Sequence, residues 1–373
     1  LGYNGNMKVV ETFLELVSIP SPSLKEGKIA QYVSEKLEEY GGMVWEDKAA
    51  SKIGGECGNL VAHFPGKGKR GLILSAHLDT VEEEREINVI KENGVLKSDG
   101  TTILGADCKS GLAVILEVLR ILKEEKREYP PLDIVFTVAE EKGLLGAKNL
   151  DFSLLRAREG YILDGGDLGS AVVKAPTHDR FTIKFLGKAS HAGVHPEKGV
   201  NSIQAASFAV SSLNLGKIDE ETTVNIGVIR GGKAINIVPE ETLVEGEVRS
   251  LKKGKLEREF KKVKKAAREG GRKVGAKVEI ERERLYESFT ITRNAFPFRL
   301  AKKAAKEEKI SFQEVVTKGG SDTNIFNAQG LTCLNIGVGA KNPHSNEESI
   351  SISDLEKATN WILKILSLAV KEG

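Results

Sequence analysis

The chain has 373 residues, 40% of them hydrophobic and 29% charged, enough for two or three domains with sizeable cores. Its 55 basic and 53 acidic residues are interspersed and leave a net charge of +2, so nothing electrostatic points to a nucleic-acid or membrane partner. The three cysteines form no CxxC pair and make no disulfide framework, which favours a reducing, cytoplasmic compartment.

No apolar run approaches the ~18 residues of a membrane span. Leu1–Asn6 is neither basic nor apolar enough for a signal peptide, and Met7 is a candidate initiator. Abundant Lys, Arg and Glu with little Gln lean towards a thermophilic composition.

In chain order, Ser23-Leu-Lys-Glu26 has the spacing of a capping box that opens a helix reaching Tyr40, with Ile29, Val33 and Leu37 on one face. Strands are expected at 59–64 and 71–76, then an apolar helix at 108–123 and a buried strand at 132–139. Further strands are expected at 161–163 and 331–338, and a helix at 353–370 closes the chain. This alternation predicts an α/β fold with a mostly parallel sheet flanked by helices.

The middle of the chain reads differently: strand 180–186, helix 201–213, strands 222–229 and 242–249, helix 256–270, strand 277–284. That is the β-α-β-β-α-β order of a ferredoxin-like α+β unit. The expected division is therefore a catalytic domain at 1–175, an inserted domain at 176–287 and the rest of the catalytic domain at 288–373. Lys252–Lys265 is rich in Lys and Arg but broken by Glu257 and Glu259, and reads as the solvated face of a helix.

Metal-friendly residues recur at or just after the ends of the apolar runs. His77 and Asp79 follow the run ending at Ala76; in extended chain both side chains point to one side. His77 suits a metal, and Asp79 suits either a metal or the orientation of His77. Asp107, in Gly105-Ala-Asp107, is either a helix N-cap or a carboxylate bridging two cations.

Glu140 and Glu141 follow a buried strand, where adjacent carboxylates are costly without a positive partner. One as ligand and the other as general base is a natural division. Asp164 ends a short strand and His344 sits in a Pro-His-Ser loop. Sites in open α/β sheets form beyond the carboxyl ends of the strands, so these residues would converge on one sheet edge. Such a set can hold two metals that polarise a carbonyl and activate water. The mixed N/O donors favour Zn2+, with Co2+ or Mn2+ as alternatives.

Five motifs together resemble the M20 family of metallopeptidases, and within it the peptidase-T-like aminopeptidases: Ser75-Ala-His77-Leu-Asp79-Thr-Val81, Gly105-Ala-Asp107, Glu140-Glu141-Lys-Gly143, Leu163-Asp164-Gly165 and Pro343-His344-Ser345. The resemblance spans essentially the whole chain. It implies that Asp107 bridges two metals, that His77 and Asp164 complete one, and that Glu141 and His344 complete the other. Glu140 would be the general base and Asp79 would steer His77.

The inserted domain would serve as lid and dimerisation domain, moving on a hinge near Pro176 and Glu287. His191, in Gly187-Lys-Ala-Ser190-His191, matches a segment whose histidine reaches a neighbouring active site to stabilise an oxyanion. Asn236 and Arg249 resemble holders of substrate polar groups; Arg249 would otherwise pair with Glu245 or Glu247. Gly320 and Asp322, in Gly319-Gly320-Ser-Asp322, resemble a substrate-lining turn; Asp322 would otherwise cap a helix.

Ser110 and Glu82-Glu-Glu84 depart from the family pattern. His195, near His191, reads as structural. The function implied is a dizinc aminopeptidase acting on short peptides, forming a homodimer through the inserted domain. The alternatives are an amidohydrolase of N-acyl amino acids, a carboxypeptidase or dipeptidase, and a non-catalytic binding protein on the same scaffold.

Overall fold

The computed structural model describes residues 7–81 and 85–372. Leu1–Asn6 and Glu82–Glu84 lie outside the described residues. No described helix is long and apolar enough to cross a membrane.

The chain divides into two compact units, one of residues 1–173, 290–316 and 321–373, the other of residues 174–289 and 317–320. Residues 317–320, expected with the second catalytic segment, belong to the smaller unit, where the Thr317 N–H donates to the Lys174 carbonyl.

The larger unit is built on a nine-stranded sheet. At its centre Leu132–Thr137, Leu72–His77, Glu159–Leu163 and Thr332–Ile336 run parallel to their neighbours. Leu60–Phe64 and Met43–Glu46 extend one side antiparallel, and Ser170–Ala175 continues the other side antiparallel. Leu72–His77 and Leu132–Thr137 are buried along their whole length, as strands covered on both faces should be. Helix Ala106–Glu124 is buried continuously from Cys108 to Leu122, which explains its predominantly apolar sequence; the buried Glu117 and Arg120 within it pair with each other at 2.8 Å. It packs with Val9–Val17 and Ile352–Glu372, while Leu145–Asn149 packs with Ala49–Ile53 and Asp322–Ala328.

A separate three-stranded sheet joins Val89–Glu92, Val95–Ser98 and Ser349–Ser351. Its hairpin turns at Asn93 and Gly94, both at positive φ, as a tight two-residue turn requires.

Ser23 and Glu26 do not form the expected capping box. Helix Gly27–Glu39 starts without a side-chain cap, because the Ser23 hydroxyl donates to Asp79 Oδ2 and the Glu26 carboxylate accepts from the Leu24 and Ala139 N–H groups. Tertiary partners have taken both capping groups.

In the smaller unit Thr177–Leu186, Thr222–Gly231, Glu241–Ser250 and Lys277–Tyr286 form an antiparallel sheet, extended by the short strand Gly216–Asp219. Helices Ser202–Ser211 and Lys253–Val274 cover it, and Phe181, Phe185, Val244, Phe260 and Val263 form its core.

Candidate metal centre

Parallel register puts the carboxyl ends of the four central strands at one sheet edge: His77 pairs with Thr137, Ser75 with Ile162, and Leu163 with Ile336. The residues that follow are therefore delivered to one place. His77 Nε2 lies 3.3 Å from Asp107 Oδ1 and 3.8 Å from Asp164 Oδ1. On the other side of Asp107, His344 Nε2 lies 3.5 Å from Oδ2 and 2.7 Å from Glu141 Oε1.

Asp107 thus faces one imidazole with each carboxylate oxygen. Two clusters share it, each with ligand atoms within 4.8 Å of one another: His77, Asp107, Cys108 and Asp164, and Asp107, Glu141 and His344. Cys108 was not anticipated from the sequence; its thiol donates to the Leu163 carbonyl at 2.7 Å. The Asp107–Cys108 peptide bond is cis. Ala139, just before Glu140, and His344 itself are non-glycine residues at positive φ, a costly conformation that tends to collect at functional sites.

Asp79 is fully buried and faces away from the pair of clusters. Its Oδ1 accepts from the Glu140 N–H at 2.9 Å, and its Oδ2 accepts from the Glu141 N–H at 3.1 Å and the Ser23 hydroxyl at 2.6 Å. His77 Nδ1 lies 2.9 Å from the Asp79 carbonyl and 3.4 Å from its carboxylate, which fixes the ring with Nε2 towards Asp107. Asn335 Nδ2 donates to Asp164 Oδ2 at 3.4 Å, a contact without a sequence signature.

The charges do not balance within the protein. Burial pushes Glu140 well above the usual carboxylate range, and Asp164, Asp322 and Glu141 add to it against His77. Burial also pushes Asp164 well above that range, with Asp107 adding to it. Asp107 is held below it, burial being outweighed by His344 and His77. His344 rises to about 10 through its hydrogen bonds with Asp107 and Glu141. Four carboxyls, Asp107, Asp164, Glu140 and Glu141, thus crowd around two imidazoles, and ionising Glu140 and Asp164 as well would create a surplus of negative charge that cations would offset. The N/O donors fit divalent metals.

Asp322 does not cap its helix. Ser321 and Asn324 form the capping box, while the Thr137 hydroxyl donates to Asp322 Oδ2 at 2.5 Å and Oδ1 has no hydrogen-bond partner among the described residues. Burial lifts the Asp322 carboxyl to about 6.

The remaining expected residues belong to the smaller unit. His191 is exposed on its own turn, where Nδ1 accepts from the Gly193 and Val194 N–H groups. The Asn236 carbonyl accepts from the Ala192 N–H, tying the two loops together. The Arg249 guanidinium grips Glu247 with Nε at 2.9 Å and Nη2 at 3.0 Å, so the strand-face pairing is the one realised. Gly320 lies against Tyr286, whose ring carbon Cζ would stand 2.2 Å from any Cβ there. His195 is exposed beside Glu197.

Solved structures with the same fold include aminopeptidase PepT from Bacillus cereus, 35% identical, covering 96% of this chain and 97% of that one at a TM-score of 0.89. A tripeptidase from Staphylococcus aureus is 36% identical and covers 98% of each chain at a TM-score of 0.93. The YXEP protein of Bacillus subtilis, described as a dinuclear metal binding peptidase from the M20 family, shares the fold at 17% identity and a TM-score of 0.75. Among sequences, YqjE of Bacillus subtilis (strain 168) is 38% identical over 98% of this chain and 99% of its own length. Peptidase T of Fusobacterium nucleatum is 27% identical over 90% of this chain and 82% of its own length. Residues 73–368 match the description Peptidase family M20/M25/M40, and the chain belongs to that family of peptide-bond hydrolases.

Proposed function

We propose that the chain is a dizinc aminopeptidase that removes amino-terminal residues from short peptides, tripeptides among them. The observation that carries this reading is Asp107, whose two carboxylate oxygens face the imidazoles of His77 and His344. The full-length likeness to an aminopeptidase and a tripeptidase supports the substrate class.

In this reading His77 and Asp164 hold one cation, Glu141 and His344 the other, and Asp107 both. Bound there, the cations would supply electrophilic polarisation of the scissile carbonyl and a lowered pKa for the attacking water. Glu140 takes the proton from that water and delivers it to the leaving amine. Asp79 works through its neighbours: it aims His77 and holds the backbone of Glu140 and Glu141 in place.

The substrate roles of His191, Asn236, Arg249, Gly320 and Asp322 rest on the resemblance alone, as do the lid role of the smaller unit and its use as a homodimer contact; a cytoplasmic location rests on the cysteine usage. For Arg249 the grip on Glu247 counts against a freely available carboxylate anchor.

The test is Glu140→Gln, assayed on tripeptides with free and with acylated amino termini. A loss of more than ~100-fold in kcat at unchanged metal content is expected. Near-normal turnover would remove Glu140 from the chemistry, and cleavage of acylated substrates alone would replace the aminopeptidase by an amidohydrolase.

A further inference from the structure

Glu348 is a buried carboxylate outside the two clusters that share Asp107. Its Oε2 accepts from the Leu104 N–H at 2.9 Å and the Gly105 N–H at 2.7 Å, and its Oε1 accepts from the Asp107 N–H at 2.9 Å. Three backbone donors on one carboxylate fill most of its acceptor capacity. All three come from the turn that carries Asp107.

Glu348 itself belongs to the turn that carries His344. That turn is braced internally: the Ser345 hydroxyl donates to the Asn342 carbonyl at 2.8 Å, and the Glu348 N–H donates to the Ser345 carbonyl at 3.1 Å. Beyond it, strand Ser349–Ser351 pairs with Val95–Ser98, and Asn346 Nδ2 donates to the Gly100 carbonyl at 3.1 Å. The segments leading to Asp107 and away from His344 are therefore zipped side by side, and Glu348 closes the zip next to the site.

We infer that Glu348 is a positioning residue, a carboxylate brace that fixes the separation of Asp107 from His344 and so shapes the half-site those two share. The inference rests on the reading that Asp107 and His344 hold the same cation. Glu348→Gln is nearly isosteric but turns one acceptor oxygen into an NH2 group. In one amide orientation that group meets the Asp107 N–H; in the other it meets the Leu104 and Gly105 N–H groups. Either way the turn is partly released. Loss of such an outer partner typically weakens metal binding by roughly 10–100-fold.

The experiment is cobalt(II) titration of the metal-free full-length protein, followed by visible absorption and calorimetry, for wild type, Glu348→Gln and the exposed neighbour Glu347→Gln. The expected result is two cobalt ions in wild type and Glu347→Gln. In Glu348→Gln one ion binds at least about tenfold more weakly with a changed absorption band. A purely structural role would lower the melting temperature and leave affinity and spectrum alone, which overturns the inference. Failure of wild type to bind cobalt would instead overturn the metal-site reading beneath it. If Glu348→Gln does not fold, amide exchange in metal-free wild type decides: protected amides at Leu104, Gly105 and Asp107 support the brace, and exchange at open-loop rates overturns it.

Discussion

Glu26 offers a quantitative check on the floor of the site. Its carboxyl is fully buried; Oε1 accepts from the Leu24 and Ala139 N–H groups at 2.9 Å each, and Oε2 has no hydrogen-bond partner among the described residues. Burial raises its pKa from 4.5 to about 7, with the nearby Asp79 adding to the shift. A carboxyl raised in the folded state contributes stability that is complete below about 4.5 and lost as the pH rises through about 7.

At 1.36 kcal/mol per unit, the difference between 7 and 4.5 corresponds to about 3.4 kcal/mol over the whole window, of which roughly 0.8 is already lost at pH 5. Glu26→Gln keeps the accepting oxygen, exchanges one unpartnered polar atom for another and removes the titration. The metal-free variant should therefore gain about 2.5 kcal/mol on metal-free wild type between pH 5 and pH 8.5. Urea unfolding of both proteins at the two pH values measures the change. A stability difference that does not vary with pH would refute the argument.

Two further outcomes follow from the same geometry. A Cβ on Gly111 would stand 2.1 Å from the Leu163 carbonyl oxygen and 3.0 Å from Cys108 Sγ, so Gly111→Ala must push helix Ala106–Glu124 off the strand that delivers Asp164. It should cost about 1–3 kcal/mol in urea unfolding and loosen retained metal in dialysis; an unchanged midpoint would show that the helix yields freely. Stripping the metals should lower the melting temperature, because the crowded carboxylates around Asp107 then lose their counter-charge. Zinc returned at a thousandfold excess over its Kd should restore about 4 kcal/mol, and a melting temperature indifferent to chelation would contradict a native-state metal site.

The ligand candidates were legible in the sequence because parallel strands announce themselves as short apolar runs and sites form at their carboxyl ends. His77, Glu140 and Asp164 needed only that rule. The braces were not legible. Glu348, Glu26 and Asn335 act on backbone or side-chain partners far away in sequence, and no spacing records such a contact. Ser23 and Glu26 even carried a misleading local pattern: a capping box was spelled out, but Asp79 and the Ala139 N–H claimed both groups. The capping alternative for Asp322 went the same way, since Thr137 holds its carboxylate while Ser321 does the capping. The hairpin at 89–98 is a different kind of miss. Its Asn93-Gly94 turn signal was present, but its strands are only four residues each and the first is mostly exposed.

These cases divide the acidic residues around the centre into two kinds. Asp79, Glu26 and Glu348 each accept from backbone N–H groups of the loops around the centre, although burial still raises the carboxyls of Glu26 and Glu348 to about 7. Asp107, Asp164, Glu140 and Glu141 instead face one another and the imidazoles of His77 and His344. In the proposed reading the first kind sets loop positions, and Asp107, Asp164 and Glu141 of the second would hold the cations. A site organised this way should change little in backbone on loading, because its turns are already held by Asp79 and Glu348. Amide exchange compared with and without zinc tests this directly. Slowing confined to a few residues beside the ligands is expected, whereas wholesale protection of 104–107 and 139–141 only in the loaded protein would mean that the metals, and not the carboxylate braces, build the site.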